Sequence, residues 1–254
     1  MRIAVCIKRV PITGGRILLT DDARAINTQH LGFTMSPHEE CGVEEAVRLI
    51  EAKGGDSVVL TLGPPEAVEQ LRDAMALGID RGLHLQTDGQ EWDAEATAAA
   101  LLEAIRADEA ANGVFDLIFF GNESADSGGF QVGIRAAHAL GRPCVTGLKK
   151  VTLEAGSVRC EQEVEGGRDV YLVPLPAVLT VKEGLNLPRY PSVPGRIRAR
   201  SKPVTVSTPS RPAPRLVLVR LAVPAGQGRR AESLGAGPAA APAVVEMLTR
   251  AGVV

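Results

Sequence analysis

Leu117-Ile118-Phe119-Phe120-Gly121-Asn122-Glu123-Ser124-Ala125-Asp126-Ser127-Gly128-Gly129-Phe130-Gln131-Val132-Gly133 reads as a strand, a glycine-rich turn and the start of a helix. Four consecutive apolar residues suit a strand covered on both faces, which is the habit of parallel sheets. The helix pattern continues through Leu140. Such a turn lies at the carboxyl end of its strand, where open α/β sheets bind ligands. Backbone N–H groups at a helix N-terminus attract anions, and Gly128 and Gly129 would let a phosphate approach closely. Neither GxxxxGK[ST] nor GxGxxG is present. Two readings stay open. The turn cradles a phosphate, or it binds nothing and Gly133, Ala136 and Ala137 simply let helix and sheet pack closely.

On the amino-terminal side the same alternation repeats. Strand-length apolar runs occur at 3–7, 57–62 and 83–86. Between them Val43, Ala46, Val47 and Ile50 follow helical spacing, as do Ala98, Leu101, Leu102 and Ile105; Val68, Leu71 and Met75 line one face of another helix. Ser36, Pro37 and Glu39 predict an N-cap, a first helical residue and the third position of a capping box. Alternating elements of this length predict right-handed crossovers and an α/β sandwich with a parallel sheet. The end of the first strand, Ile7-Lys8-Arg9, should share one sheet edge with the glycine-rich turn, and Leu62-Gly63-Pro64-Pro65 should form part of the same rim.

Beyond Gly147 the pattern changes to short strands at 151–153, 157–163 and 168–173, with Gly156 and Gly166-Gly167 at the turns. A strand at 176–181 leads into Leu185-Asn186-Leu187-Pro188-Arg189-Tyr190-Pro191-Ser192-Val193-Pro194 and a basic run containing Arg196, Arg198, Arg200 and Lys202. Three prolines stiffen this segment, so it loses less entropy on docking. It reads as a protein-recognition loop, with an ordinary proline-rich connection as the alternative. From residue 204 the composition shifts again. A strand pattern at 216–221, a Gly/Ala/Pro-rich stretch at 226–242 and a short helix pattern at 243–250 hold too few apolar residues for a separate core. The expected division is a domain over 1–203 and an arm over 204–254 that wraps another surface or stays mobile.

Composition narrows the function classes. With 254 residues, 45% hydrophobic and 23% charged, the chain has ordinary globular character. A net charge of −2 argues against nucleic-acid binding by bulk electrostatics. No apolar run reaches the roughly 18 residues of a membrane span, and the first residues do not read as a signal peptide. Cys6, Cys41, Cys144 and Cys160 form no CxxC and read as reduced cytoplasmic thiols. His30, His38, His84 and His138 lack metal-ligand spacing. Glu44-Glu45 and Asp21-Asp22 read as solvated pairs, and Trp92 is alone. No catalytic residue or metal ligand is expected.

In this order, the motifs Val5-Cys6-Ile7-Lys8-Arg9-Val10-Pro11, Ser36-Pro37 leading into Val43-Glu44-Glu45-Ala46-Val47-Arg48-Leu49, Gly63-Pro64 with Ala74-Met75-Ala76-Leu77-Gly78-Ile79-Asp80-Arg81, the 121–133 turn, Pro176-Ala177-Val178-Leu179-Thr180 and Leu185-Asn186-Leu187-Pro188-Arg189-Tyr190 make a set. Through them the chain resembles the beta subunits of electron-transfer flavoproteins over roughly residues 1–205. The resemblance implies a Rossmann-like, adenine-nucleotide-hydrolase-like domain with a β-hairpin and recognition-loop extension and a C-terminal arm. It implies a heterodimer whose alpha subunit carries the redox-active FAD and receives the 204–254 arm of this chain, electrons arriving from acyl-CoA or other flavin dehydrogenases and leaving to a quinone oxidoreductase, and no stand-alone enzyme activity. AMP would occupy the beta subunit, or a second FAD in electron-bifurcating members.

The nucleotide site so implied comprises Ile7, Lys8, Ser36, Leu62, Gly63, Asp126, Ser127, Gly128, Gly129, Phe130, Gln131 and Val132. The docking residues are Leu185, Pro188, Tyr190, Val193, Arg196 and Arg198, with the loop at 184–198 and Val193 as its apolar anchor. The chain departs from the family pattern at Ser36, where Asn is usual, at Ser127-Gly128-Gly129, which is poorer in Asp, and at Phe130. Its Gln131-Val132-Gly133 is more similar to the bifurcating and nitrogen-fixation-type members. A stand-alone adenine-nucleotide module would lack the extension at 150–200. An ATP-using relative of the hydrolase type would need an SGGxDS loop near the first strand, which this sequence does not have.

Overall fold

The computed structural model describes residues 1–15, 17–224 and 232–253. The chain begins with β1 (Arg2–Ile7), passes through an antiparallel ribbon of β2 (Arg9–Pro11) and β3 (Phe33–Met35), and enters α1 (Pro37–Lys53). Then β4 (Asp56–Gly63), α2 (Val68–Leu77), β5 (Arg81–Gln86), α3 (Ala94–Asn112), β6 (Leu117–Gly121) and α4 (Val132–Leu140) alternate as the periodicity predicts. Next, β7 (Cys144–Glu154), β8 (Ser157–Val164) and β9 (Gly167–Pro174) form an antiparallel meander, and β10 (Ala177–Val181) returns between β6 and β7. The chain continues through α5 (Val193–Ser201), β11 (Val204–Ser207) and α6 (Ala241–Arg250).

Nine strands form one sheet in the order β11-β5-β4-β1-β6-β10-β7-β8-β9, parallel from β11 to β7. The central β1 shows why its sequence is apolar throughout. Successive side chains of a strand point to opposite faces. Ile3, Val5 and Ile7 pack with Val43, Val47, Leu71 and Met75 of α1 and α2. Ala4 and Cys6 pack on the other face with Leu101, Ile105 and Ala136 of α3 and α4. Full burial of such a side chain contributes about 1.5–3 kcal/mol, so both helical layers are held by the sheet. The architecture is the expected Rossmann-like α/β sandwich.

Four expectations are corrected. The basic run is not loop but helix α5, because the Ser192 hydroxyl accepts from the Gly195 amide at 3.1 Å and Pro194 suits the first turn. Lys202 at its end is spent internally, donating to the carbonyls of Met75, Gly78 and Ile79 at 3.0, 3.2 and 2.6 Å. Residues 204–207 are not yet arm: β11 is an edge strand of the main sheet, with Val204 opposite Gly82 and packed on the core. Residues 216–221 form no strand; among the described residues they have no ladder partner, and Leu216, Val217, Leu218 and Val219 are exposed. The serine half of the α1 capping box is absent, since the Ser36 hydroxyl points instead to the Glu123 carbonyl at 3.4 Å. Part of the Gly/Ala/Pro-rich stretch, 226–231, lies outside the described residues.

The remaining arm does not leave its own domain at once. Arg211 donates to Gln90 Oε1 at 2.9 Å and to the Glu91 carbonyl at 2.7 Å, and it lies over the Trp92 ring. Arg215 pairs with Glu95, and the Leu221 amide donates to the Ala23 carbonyl at 2.7 Å.

Candidate functional site

The amino end of α1 and the turn after β6 enclose an open cleft of about 460 Å³. Ser36, Pro37 and His38 line it on one side and residues 123–128 on the other, with Glu183 also on its lining. Lys8, immediately after β1, reaches into the turn. Its Nζ lies 2.8 Å from Asp126 Oδ2 and 3.3 Å from Ser127 Oγ. Thus the first strand end and the glycine-rich turn share one sheet edge, because β1 and β6 are neighbouring parallel strands. Glu91, from the loop after β5, also holds the ammonium, at 2.5 Å. Burial opposes the Lys8 charge, but Glu91 and Asp126 outweigh it and raise its pKa above the ordinary value. Burial likewise penalises Asp126, and Lys8 more than compensates, so its carboxyl lies below the ordinary range.

The turn leaves donors free. Asp126 accepts from the Ser127 amide at 2.7 Å, and the Ser124 carbonyl accepts from the Gly128 amide at 3.0 Å. Gly128 has φ +56° and Phe130 has φ +55°. Among the described residues the amides of Gly129, Phe130 and Gln131 donate to no protein acceptor. Unpaired backbone amides at a helix N-terminus attract anions, and these three stand at the N-terminus of α4. A left-handed non-glycine residue costs about 1–2 kcal/mol. The Phe130 side chain recovers little of that by packing, being 52% exposed. At the back of the turn, Thr180 of β10 donates to Asn122 Oδ1 at 2.9 Å and accepts from the Gly147 amide at 3.1 Å.

Glu39, a capping-box position by its sequence, lies buried beneath this edge. Its Oε2 accepts from the Lys8 amide at 2.7 Å. Desolvation pushes its pKa up to about 8, against the lowering effect of the Lys8 and Ser36 amides. The other implied nucleotide residues are less central. The Ile7 carbonyl accepts from Thr61 at 2.9 Å, the Gly63 carbonyl is bonded to buried His84, and Leu62 packs with Trp92 and Leu85. None of these three lines the cleft. Gly129, Phe130, Gln131 and Val132 lie beyond its rim, and Gln131 Oε1 accepts from the Arg135 side chain. Glu91 carried no motif signal; its role comes only from the loop's path over Lys8.

A second surface is apolar. Leu187 is 92% exposed, Tyr190 96%, Val193 72% and Ile197 63%. Val193 and Ile197 stand one helical turn apart on α5, and that i, i+4 pair amid arginines was the available signal for Ile197. Arg196 and Arg198 are exposed beside them, Arg196 pairing with Asp73 at 3.3 Å. Leu185 does not join this surface, because it packs against the core, and Pro188 is half-buried. The supposed solvated pair Glu44-Glu45 is corrected outright: both carboxylates are buried, at 4% and 7% exposure, beneath this loop.

Residues 24–212 match the family described as "Electron transfer flavoprotein domain". "Electron transfer flavoprotein subunit beta" of Mycobacterium tuberculosis is 36% identical over 212 residues, covering 81% of this chain and 78% of that protein. The Bacillus subtilis protein of the same name is 33% identical over 206 residues, covering 80% and 77%. "Electron transfer flavoprotein subunit beta, mitochondrial" of Arabidopsis thaliana is 36% identical over 211 residues, covering 82% of each. Among the described residues no helix is long and apolar enough to cross a membrane.

Proposed function

This chain belongs to the electron transfer flavoprotein family as a beta subunit, and we propose that it is the docking and nucleotide-holding half of a heterodimeric electron carrier. Membership implies an alpha subunit as partner and a flavin in the assembly. FAD, carried mainly by the alpha subunit, supplies the electron-accepting and electron-donating chemistry. Electrons arrive from an acyl-CoA or another flavin dehydrogenase and leave to a quinone oxidoreductase. No residue of this chain takes a catalytic role. The four unpaired thiols favour a reducing compartment, the cytoplasm.

The observation that carries this reading is the run of exposed large apolar side chains along 187–197, Leu187, Tyr190, Val193 and Ile197, interspersed with arginines. Such a run suits an interface core with a charged rim. Its test is flavin reduction in the purified heterodimer by an acyl-CoA dehydrogenase and its acyl-CoA. Leu187→Asp should weaken reduction through a higher KM for the dehydrogenase, with flavin content unchanged. Unaltered kinetics in that variant would remove the docking role.

AMP is the nucleotide proposed for the cleft. The free amides of Gly129, Phe130 and Gln131 at the start of α4 fit a phosphate. The acidic wall of Glu123, Asp126 and Glu183 suits the donor-rich ribose and base instead. Heat-released ligand should contain one flavin and one AMP per heterodimer. Two flavins and no AMP would favour the bifurcating type, to which Gln131-Val132-Gly133 is similar. Release of no second nucleotide would reject the site.

A further inference from the structure

We infer that Arg189 and Glu44 are positioning residues for docking, an inference that rests on the docking role proposed above: clamped onto carboxylates of α1, the inward side chains of the 185–190 loop turn Leu187 and Tyr190 outward.

The loop alternates between two fates. Leu185 packs on the core. Asn186 turns inward, its Nδ2 donating to the Cys41 carbonyl and to Glu45 Oε2, each at 3.0 Å. Leu187 faces solvent. Arg189 turns inward and divides its guanidinium between two carboxylates. Nε and Nη2 donate to Glu44 at 3.0–3.1 Å, while Nη1 and Nη2 donate to Glu51 at 2.7 and 2.9 Å. Its backbone amide also donates to Glu44 Oε2, at 3.1 Å. Tyr190 then faces solvent again.

Three features make this more than ordinary loop packing. Glu44 is buried, and a buried carboxylate is tolerated only when it is paired. The bond to the Arg189 amide fixes the backbone as well as the side chain. The planar fork of arginine can bridge two carboxylates at once, which a lysine ammonium does less well. The Arg189–Glu44 clamp spans 145 residues of sequence, so α1, an element of the core, sets the loop's shape before any partner arrives. A preformed loop avoids the ordering cost of docking.

The test uses the purified heterodimer with Glu44→Gln, Arg189→Gln and the double variant, and Leu187→Asp as reference. Hydrogen exchange of amides in the loop should quicken by about tenfold or more in each single variant, without spread to β1 or β10. The double variant should be no worse than the worse single one, because both act through one contact. With an acyl-CoA dehydrogenase as donor, Arg189→Gln should raise KM several-fold with kcat nearly unchanged, and Arg189→Lys should restore only part of the loss. Unchanged loop exchange in Arg189→Gln, or equal loosening of β1 and β10, would overturn the inference. So would a normal KM in Arg189→Gln when Leu187→Asp raises it. A normal KM in both would instead bring down the docking reading on which it rests.

Discussion

Glu39 shows how much the environment of one side chain can differ from its local sequence role. Its carboxyl is buried and titrates near 8, against an ordinary value of 4.5. The sign follows from linkage. A carboxyl whose pKa is raised on folding favours the folded state below its unfolded value, and that stability is lost as pH rises through the folded one. The protein should therefore lose stability between about pH 4.5 and pH 8 from this group. Glu39→Gln keeps an acceptor for the Lys8 amide and removes the charge. It should raise the Tm at pH 8 relative to the parent and change it little at pH 5, as thermal scans across pH would read. A constant difference at both pH values would contradict the assignment.

Two glycines of the turn make a paired prediction. A Cβ at Gly133 would lie 2.8 Å from Thr180 Cγ2 and 3.1 Å from the Phe120 ring, whereas one at Gly129 would meet nothing within 4 Å. Gly133→Val should destabilise the fold by overpacking, on the order of 1–3 kcal/mol. Gly129→Val should leave the Tm of the nucleotide-stripped heterodimer unchanged yet lower the amount of AMP that copurifies. Equal thermal effects in the two variants would refute this division of labour between packing and ligand approach.

Helix α5 presents apolar side chains on a face the core does not use. Val193 is its first residue and is exposed. An acidic residue in the first turn favours the helix macrodipole, so Val193→Asp should not lower thermal stability. Docking should suffer, because an unpaired charge would enter an apolar interface. Dehydrogenase-dependent flavin reduction should fall strongly in Val193→Asp and several-fold in Ile197→Ala, with flavin content unchanged. A fall in Tm in step with activity would mean instead that Val193 supports the fold. The prolines made this segment read as loop up to Pro194. What that reading lacked was the capping of Gly195 by Ser192 and the reciprocal capping with α2, where Arg72 donates to the Ala199 and Lys202 carbonyls at 2.6 Å.

For the whole molecule, the main sheet extends through Ser207, since β11 pairs with β5. Coexpression with the alpha subunit separates the contribution of β11 from that of the arm beyond it. A chain ending at Ser207 should keep a stable beta domain and lose most of its alpha subunit on purification. One ending at residue 203 should also unfold at lower temperature, since it lacks β11 against β5. Identical melting of the two truncations would place β11 outside the cooperative unit. An undiminished yield of alpha subunit with the Ser207 truncation would show that the arm does not hold the partner.

The sequence alone determined the alternation of strands and helices, the layers they form, the hairpin meander, the family and the meeting of Lys8 with the 123–128 turn. The family follows from the ordered set of motifs; the others follow from periodicity, from turn residues or from the parallel order of neighbouring strands, which are local or nearly local signals. Tertiary structure decided the rest. Glu39, Glu44 and Glu45 are carboxylates that local composition assigns to water; only partners brought from elsewhere in the chain, the Lys8 amide, Arg189 and Asn186, make their burial tolerable. The strand pattern at 216–221 stayed unpaired while Val204–Ser207 found an edge, because a strand is completed by a neighbour's hydrogen bonds and not by its own side chains.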